Sequence, residues 1–283
     1  MEDLLSTPAA VAFAAVLGAV WGSFFNVVIA RLPRGESVVR PASRCPACGA
    51  PIRAADNVPI LSYLVLRGRC RRCAAPISWR YPLVEALTAL LAAAIFWRFA
   101  GAGAEPGEVT GVRLARFAVY FAFAGALVVL SFIDLDTKRL PDIVTVPGTV
   151  VLFFAAFATH DVPWLERAIG AVAGYLVVRL IADFYFYVLK REGLGLGDGK
   201  LLAMVGATLG WRMLPLTLFA ASLLGTAISL PLVIVARRQG QPGGEAGQAE
   251  SLRRVQVPFG PFLAAGALVC LFAGDALLAV LWP

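Results

Sequence analysis

The sequence predicts an all-α protein: a polytopic membrane helix bundle of about eight crossings with a small cytoplasmic insert that binds zinc through four cysteines. Three observations carry that expectation. The 283 residues are 59% hydrophobic and only 15% charged, with mean hydropathy +0.78, too apolar for a soluble domain. Apolar runs of spanning length recur along the chain. One polar stretch near the N-terminus gathers ten arginines and four of the five cysteines.

Taken in order, the apolar runs predict spans at about 8–30, 82–100, 114–133, 143–159, 167–189, 201–211, 213–236 and 257–282. The sixth, "LLAMVGATLGW", is the weakest, because about 20 residues are normally needed to cross. A short or re-entrant segment there requires protein or a cavity around its backbone. The first run lacks a basic flank before it and is followed by a basic segment, so it is expected to stay as a helix rather than act as a cleaved signal. The expected division is a first transmembrane helix at 1–30, the insert at 31–80 and the membrane-embedded bundle at 81–283. No internal repeat is read, and the polar "RRQGQPGGEAGQAESLRR" at 237–254 reads as a flexible loop.

Arginine placement orients the chain. Arg31, Arg34, Arg40, Arg44, Arg53, Arg67, Arg69, Arg71, Arg72 and Arg80 face only Glu36 and Asp56 within the insert, which puts it in the cytoplasm. Eight crossings then leave both termini outside. The +7 net charge is a topology signal, and nucleic acid is not an expected partner.

Within the insert, Cys45-Pro-Ala-Cys48 and Cys70-Arg-Arg-Cys73 each offer two thiolates, and together they complete a tetrahedral four-thiolate set for structural zinc. A cytoplasmic location argues against disulfides, and an insert of this size buries too little core to fold without help. Redox thiols are the competing reading. Cys270, alone in the last apolar run, reads as a core residue.

The single histidine, His160, lies at an outer helix end, which removes zincin and Ser-His or Cys-His chemistry. In "GLGLGDGK", 193–200, a P-loop fails because the required first glycine is Leu194 and Leu201 replaces Ser or Thr. A dinucleotide fingerprint fails at Asp198 and Lys200. The loop therefore presents a carboxylate. A second acidic segment, "SFIDLDTKRLPD", carries Asp134, Asp136 and Asp142 to the same membrane face. Asp142, after Pro141, suits a helix start, and Asp136 a solvated end. Asp134 and Asp198 sit at the edges of apolar helices, where an ionisable group is costly and functional by default. Two carboxylates sharing one proton make an aspartyl protease dyad; an ion-coupled transporter using the same residues stays open on chemistry alone.

These segments resemble the type IV prepilin peptidase family of bifunctional leader peptidase/N-methyltransferases. The resemblance covers nearly the whole chain: "GSFFNVVIARLP" at 22–33, the cysteine-bearing stretch at 43–85, "IDLDTKRLPD" at 133–142, "GLGDGKLLAMVGA" at 195–207 and "VPFGPFLAAGA" at 257–267. It implies a GxGD-type aspartyl protease of the bacterial inner membrane, with Asp134 and Asp198 catalytic. Its substrates would be prepilins and pseudopilins, presenting a basic leader and an N-terminal transmembrane helix from the lipid bilayer. They are cut on the cytoplasmic side after a glycine, and the new N-terminus is methylated from S-adenosylmethionine. By resemblance alone, Gly22, Asn26 and Glu85 are candidates for that cofactor. The spacer between "ARLP" and "CPAC" is shorter than in some members, which leaves a leader peptidase without methylase as the alternative. Glu85 also suits a helix first turn, and Arg179 with Asp183 reads as a buried ion pair.

Overall fold

The computed structural model describes residues 2–189, 195–239 and 258–281. Lys190, Arg191, Gly193, Leu194 and the predicted loop from residue 240 onward lie outside them. Among the described residues the regular elements are helices: α1 (Glu2–Leu5), α2 (Pro8–Arg31), α3 (Leu61–Val65), α4 (Arg80–Phe99), α5 (Thr110–Thr137), α6 (Asp142–Ala155), α7 (Trp164–Leu189), α8 (Leu196–Leu209), α9 (Met213–Gln239) and α10 (Gly260–Leu281), joined by 3-10 turns. The all-α membrane bundle is therefore the observed class.

Seven of the described segments are long and apolar enough to cross a membrane: α2, α4, α5, α6 with its 3-10 extension, α7, α9 and α10. The remaining expected segment is α8. Its 14 residues rise only about 21 Å, short of a hydrocarbon core of about 30 Å. Every residue from Leu201 to Leu209 is buried. This helix is sheathed in protein, the condition under which a short segment can reside at membrane depth.

The chain forms two compact units, Met1–Ile133 with Phe154–Asp161, and Asp134–Phe153 with Val162–Pro283. In the first, α2 crosses α4 at Gly18 and Gly22. A Cβ on Gly18 would lie 2.5 Å from the Ala92 Cβ, and one on Gly22 2.7 Å from the Glu85 Cα. Small residues four apart let backbones approach where apolar lipid offers no competing drive for larger ones. Ile29, Val84, Val128, Val129 and Ile133 fill the core beside this crossing. Thr7 starts α2, its hydroxyl accepting the Ala10 N–H at 3.3 Å with Pro8 in the first turn.

In the second unit, α7 carries Gly170 and Gly174 against α8. A Cβ on Gly206 would lie 2.2 Å from the Gly170 carbonyl oxygen, and one on Gly174 2.6 Å from that of Leu202. The fully buried Arg167 donates to the Thr208 carbonyl at 2.6 Å, satisfying an orphan acceptor in the last turn of α8. Helices α9 and α10 run antiparallel, with Met213 beside Gly274, Thr217 beside Gly266 and Gly225 beside Phe262.

Candidate active site and metal centre

The insert is built from two copies of one turn. "CPACGAPI" at 45–52 and "CRRCAAPI" at 70–77 share the pattern C-x-x-C-[GA]-A-P-I. In the first, the Cys45 N–H donates to Ala50 and the Gly49 N–H to Cys45; in the second, Cys70 donates to Ala75 and Ala74 to Cys70, each at 2.9 Å. Isolated bridges, Arg44–Pro51 and Arg69–Pro76, close both turns. Gly49 and Ala74 hold the same left-handed position, φ +68° and +56°. The chain thus contains an internal repeat, contrary to the reading of the sequence. Its signal is short and lies around the cysteines, where a search for long periods passes over it.

The four cysteine sulfurs lie within 4.8 Å of one another. Cys45 and Cys73 are 3.8 Å apart at sulfur, and a tetrahedral centre with metal–sulfur bonds of about 2.3 Å separates its sulfurs by roughly that distance. All four are free thiols. The backbone N–H groups of Cys73 and Arg72 bring the Cys70 thiol down to about 6. Cys73 is instead pushed up to about 11: the Ala75 N–H favours its thiolate, but burial and the neighbouring thiols outweigh that bond. Four thiolates cannot accumulate side by side without a cation, so this donor set fits a divalent soft metal.

The second unit holds both candidate catalytic carboxylates. Asp134 lies in the last turn of α5 and is 5% exposed, whereas Asp136 is exposed. The helical register thus turns Asp134, with Ile133, inward. Its Oδ2 accepts the Gly260 N–H at 3.0 Å, the first orphan donor of α10. A Cβ at Gly260 would lie 2.5 Å from that oxygen, so a larger residue there would displace the carboxylate from this N–H. Asp198 is also buried, in the first turn of α8, where Gly195 begins the helix and accepts the Asp198 N–H at 3.0 Å. Burial first, then the charge of Asp134, pushes the Asp198 carboxyl up to about 6. The charge of Asp134 is thus felt at Asp198.

The glycines before Asp198 serve partly for packing. A Cβ at Gly197 would meet the Leu140 side chain at 3.0 Å. The backbone that closely approaches a carboxylate is that of Gly260, which sequence reasoning did not single out. The signal is a glycine between aromatics at a helix start, in "VPFGPF", but its partner is 126 residues away. Asp142 pairs with Lys200, leaving the first turn of α6 and the residues after Asp198 tied together.

Gly22, Asn26 and Glu85 are brought together, but on protein groups. Gly22 underlies the Glu85 Cα, the Asn26 amide donates to the Tyr81 carbonyl at 3.0 Å, and Glu85 accepts the Ile60 N–H at 2.7 Å and a bond from Ser23. Ile60 has φ 63° and ψ −51°, and Leu61 donates back to Pro59 at 2.6 Å across it: a strained γ-turn at a β-branched residue. The three residues thus lie at a joint between insert and helix, with the Asn26 amide and the Glu85 carboxylate bonded to protein groups. Glu85 sits beyond the first turn of α4, which begins at Arg80. Arg179 and Asp183 do pair, at 2.9 Å, but with side chains 44% and 39% exposed rather than buried. His160 is an exposed helix-end residue, and Cys270 is buried against Thr217.

The Bacterial Peptidase A24 N-terminal domain model matches residues 16–99, and the Type IV leader peptidase family model matches residues 121–230. A prepilin leader peptidase/N-methyltransferase of Myxococcus xanthus is 41% identical, with 83% of this chain and 69% of the relative covered. Proteins of that name from Burkholderia pseudomallei and Pseudomonas aeruginosa are 38% and 34% identical, covering 95% and 97% of this chain and 87% and 94% of their own. No solved structure matches. With buried aspartates on two helix ends and four clustered cysteines in its insert, the chain belongs to the type IV leader peptidase family.

Proposed function

We propose that the protein is a membrane aspartic endopeptidase that removes the basic leader of prepilins and pseudopilins after a glycine, and then N-methylates the new N-terminus. The observation that carries the cleavage reading is the burial of two carboxyls at helix ends of one compact unit, Asp134 and Asp198. A pair sharing one proton supplies both halves of peptide hydrolysis. The ionised carboxylate takes a proton from water as its oxygen adds to the scissile carbonyl, and the protonated partner donates to the carbonyl oxygen. Collapse of the resulting diol expels the amine, which leaves with a proton from the pair. Gly260 holds one Asp134 oxygen and so orients the other.

Cys45, Cys48, Cys70 and Cys73 would hold zinc, which organises the insert; S-adenosylmethionine would supply the methyl group. The arginine-rich insert supports a cytoplasmic placement, with the dyad at the cytoplasmic face of the inner membrane and the first helix, insert and peptidase bundle divided at about 30 and 80. Family membership favours this bifunctional reading over a methylase-free peptidase or an ion-coupled transporter.

The test is prepilin cleavage by four single variants. Asp134→Asn and Asp198→Asn are expected to lose nearly all activity, while Asp136→Asn and Asp142→Asn retain most of it. Robust cleavage by Asp198→Asn would defeat the mechanism, and loss in Asp136→Asn with activity in Asp134→Asn would move the first site by two residues.

A further inference from the structure

The α9–α10 hairpin is tight along part of its length and open along the rest. A Cβ at Gly266 would lie 2.6 Å from the Thr217 carbonyl oxygen, and Gly274 is similarly close to Met213. Beyond that contact a cavity of about 340 Å³ opens, lined by Ser222, Gly225, Thr226, Ser229, Phe259 and Phe262. Its mouth adjoins the candidate active site, because Phe259 and Phe262 flank Gly260, whose N–H binds Asp134.

The hydroxyls in this cavity differ from those elsewhere in the bundle. Thr88, Ser131, Thr149, Thr208 and Thr217 each donate to the carbonyl four residues earlier, the usual way a membrane helix satisfies a hydroxyl. Among the described residues, Ser222, Thr226 and Ser229 make no such bond. Their donors and acceptors remain available on one face of α9, beside an aromatic wall.

A peptidase working at a membrane edge creates a need for such groups. A helical peptide bond is shielded by its own turn, so the segment at the dyad must be extended. Its freed N–H and C=O groups then require partners away from water. Hydroxyls both donate and accept. We infer that the α9–α10 cleft binds the extended main chain of the substrate, with Ser222, Thr226 and Ser229 as positioning residues and Phe259 and Phe262 as the apolar wall. Seven residues of α9 rise about 10 Å, the length of about three extended residues. The lining runs from Phe259 and Ser229 to Phe262 and Ser222, toward the tight contact at Gly266. If the leader lies on the cytoplasmic side, the bound residues are the three that follow the cleaved bond. This inference rests on the proposed peptidase reading.

Two measurements on the full chain test it. The first compares wild type with Ser222→Ala/Thr226→Val/Ser229→Ala, changes that nearly preserve shape and do not lower helix propensity. On a prepilin substrate, kcat/KM is expected to fall about 10- to 100-fold, chiefly through KM. Replacing an amide with an ester at one of the three following positions should weaken wild type but scarcely affect the triple variant. Unchanged KM and kcat, or an ester effect equal in both proteins, overturns the inference. The second measurement places a photo-crosslinking residue at position 226 in Asp198→Asn and adds prepilin. Capture of the first residues after the leader supports the cleft; capture only of lipid, or of the chain's own residues 240–257, overturns it. Crosslinking does not require turnover, so it separates failure of the cleft from failure of the dyad, which the Asn variants report.

Discussion

The α2–α4 and α7–α8 pairs use the same crossing, glycines four residues apart, for different ends. Gly18 and Gly22 bring α2 onto α4, two helices that are each long and apolar enough to cross the membrane and that carry the insert. Gly170 and Gly174 bring α7 onto α8, a helix too short to cross and buried throughout its final nine residues. Close backbone approach in the first unit positions a joint with the insert. In the second it encloses a carboxylate-bearing helix in protein, where the charge of Asp198 is poorly solvated. One packing device therefore supports a scaffold in one place and tunes an ionisable group in the other.

The sharpest test of that division is at the carboxylates. Asp134→Asn/Asp198→Asn should be little worse than either single change, each losing about 10³-fold or more in cleavage, because groups that act as a unit are not additive. Zinc content should be unchanged in all three proteins, as measured by metal analysis. A variant that loses both cleavage and zinc would merge what the comparison separates.

Next in size are the glycines. Gly206→Ala drives a methyl into the Gly170 backbone and is expected to cost more than about 3 kcal/mol, above ordinary overpacking, because neither neighbour is a flexible side chain. Thermal unfolding in detergent should show the loss, and cleavage should fall with it. Gly22→Ala should disturb the insert joint instead, reducing methylation more than cleavage.

Metal removal is expected to act on the first unit. A Cys45→Ala/Cys48→Ala variant should bind less than a tenth of the wild-type zinc, and chelation should impair methylation more than cleavage. Full zinc in that variant would exclude the ligand set. The smallest contrast is at Glu85: Glu85→Gln can still accept the Ile60 N–H and should keep methylation within about twofold, whereas Glu85→Ala strands a donor worth about 1–3 kcal/mol. Equal losses in both would favour a role for the charge itself.

The pH profile adds a sign to the comparison. Asp198 is held up at about 6, so the pair keeps its proton below that value and loses it as pH rises through it. Cleavage should decline on the alkaline side of about 6, with an apparent pKa belonging to the pair. Stability has the same sign: the contribution of this group is fully present below the ordinary carboxylate value near 4 and is lost as pH rises through about 6.

What was legible in the sequence was what local pattern encodes. Paired cysteines announce a ligand set because two thiols three positions apart share one turn. Asp198 was legible because neither phosphate motif fits its glycines. Asp134 was preferred to Asp136 for its place at an apolar helix edge and by resemblance, and the register of α5 turns it inward while Asp136 is exposed. Gly260, Ile60 and the enclosure of α8 were not legible, because each depends on a partner far along the chain. Gly206 looks like any helix glycine until Gly170 lies against it.

Ile60 lies on the stretch of chain between the two cysteine turns, and its unfavourable backbone is gripped from both sides. Residues 49–69 form a loop whose ends a shared metal would join, and Glu85 holds its middle. A γ-turn at isoleucine costs on the order of 1–3 kcal/mol, which the bond from its N–H to Glu85 helps to offset. A divalent ion held by the four cysteines would act as a reversible cross-link between the two ends of that loop.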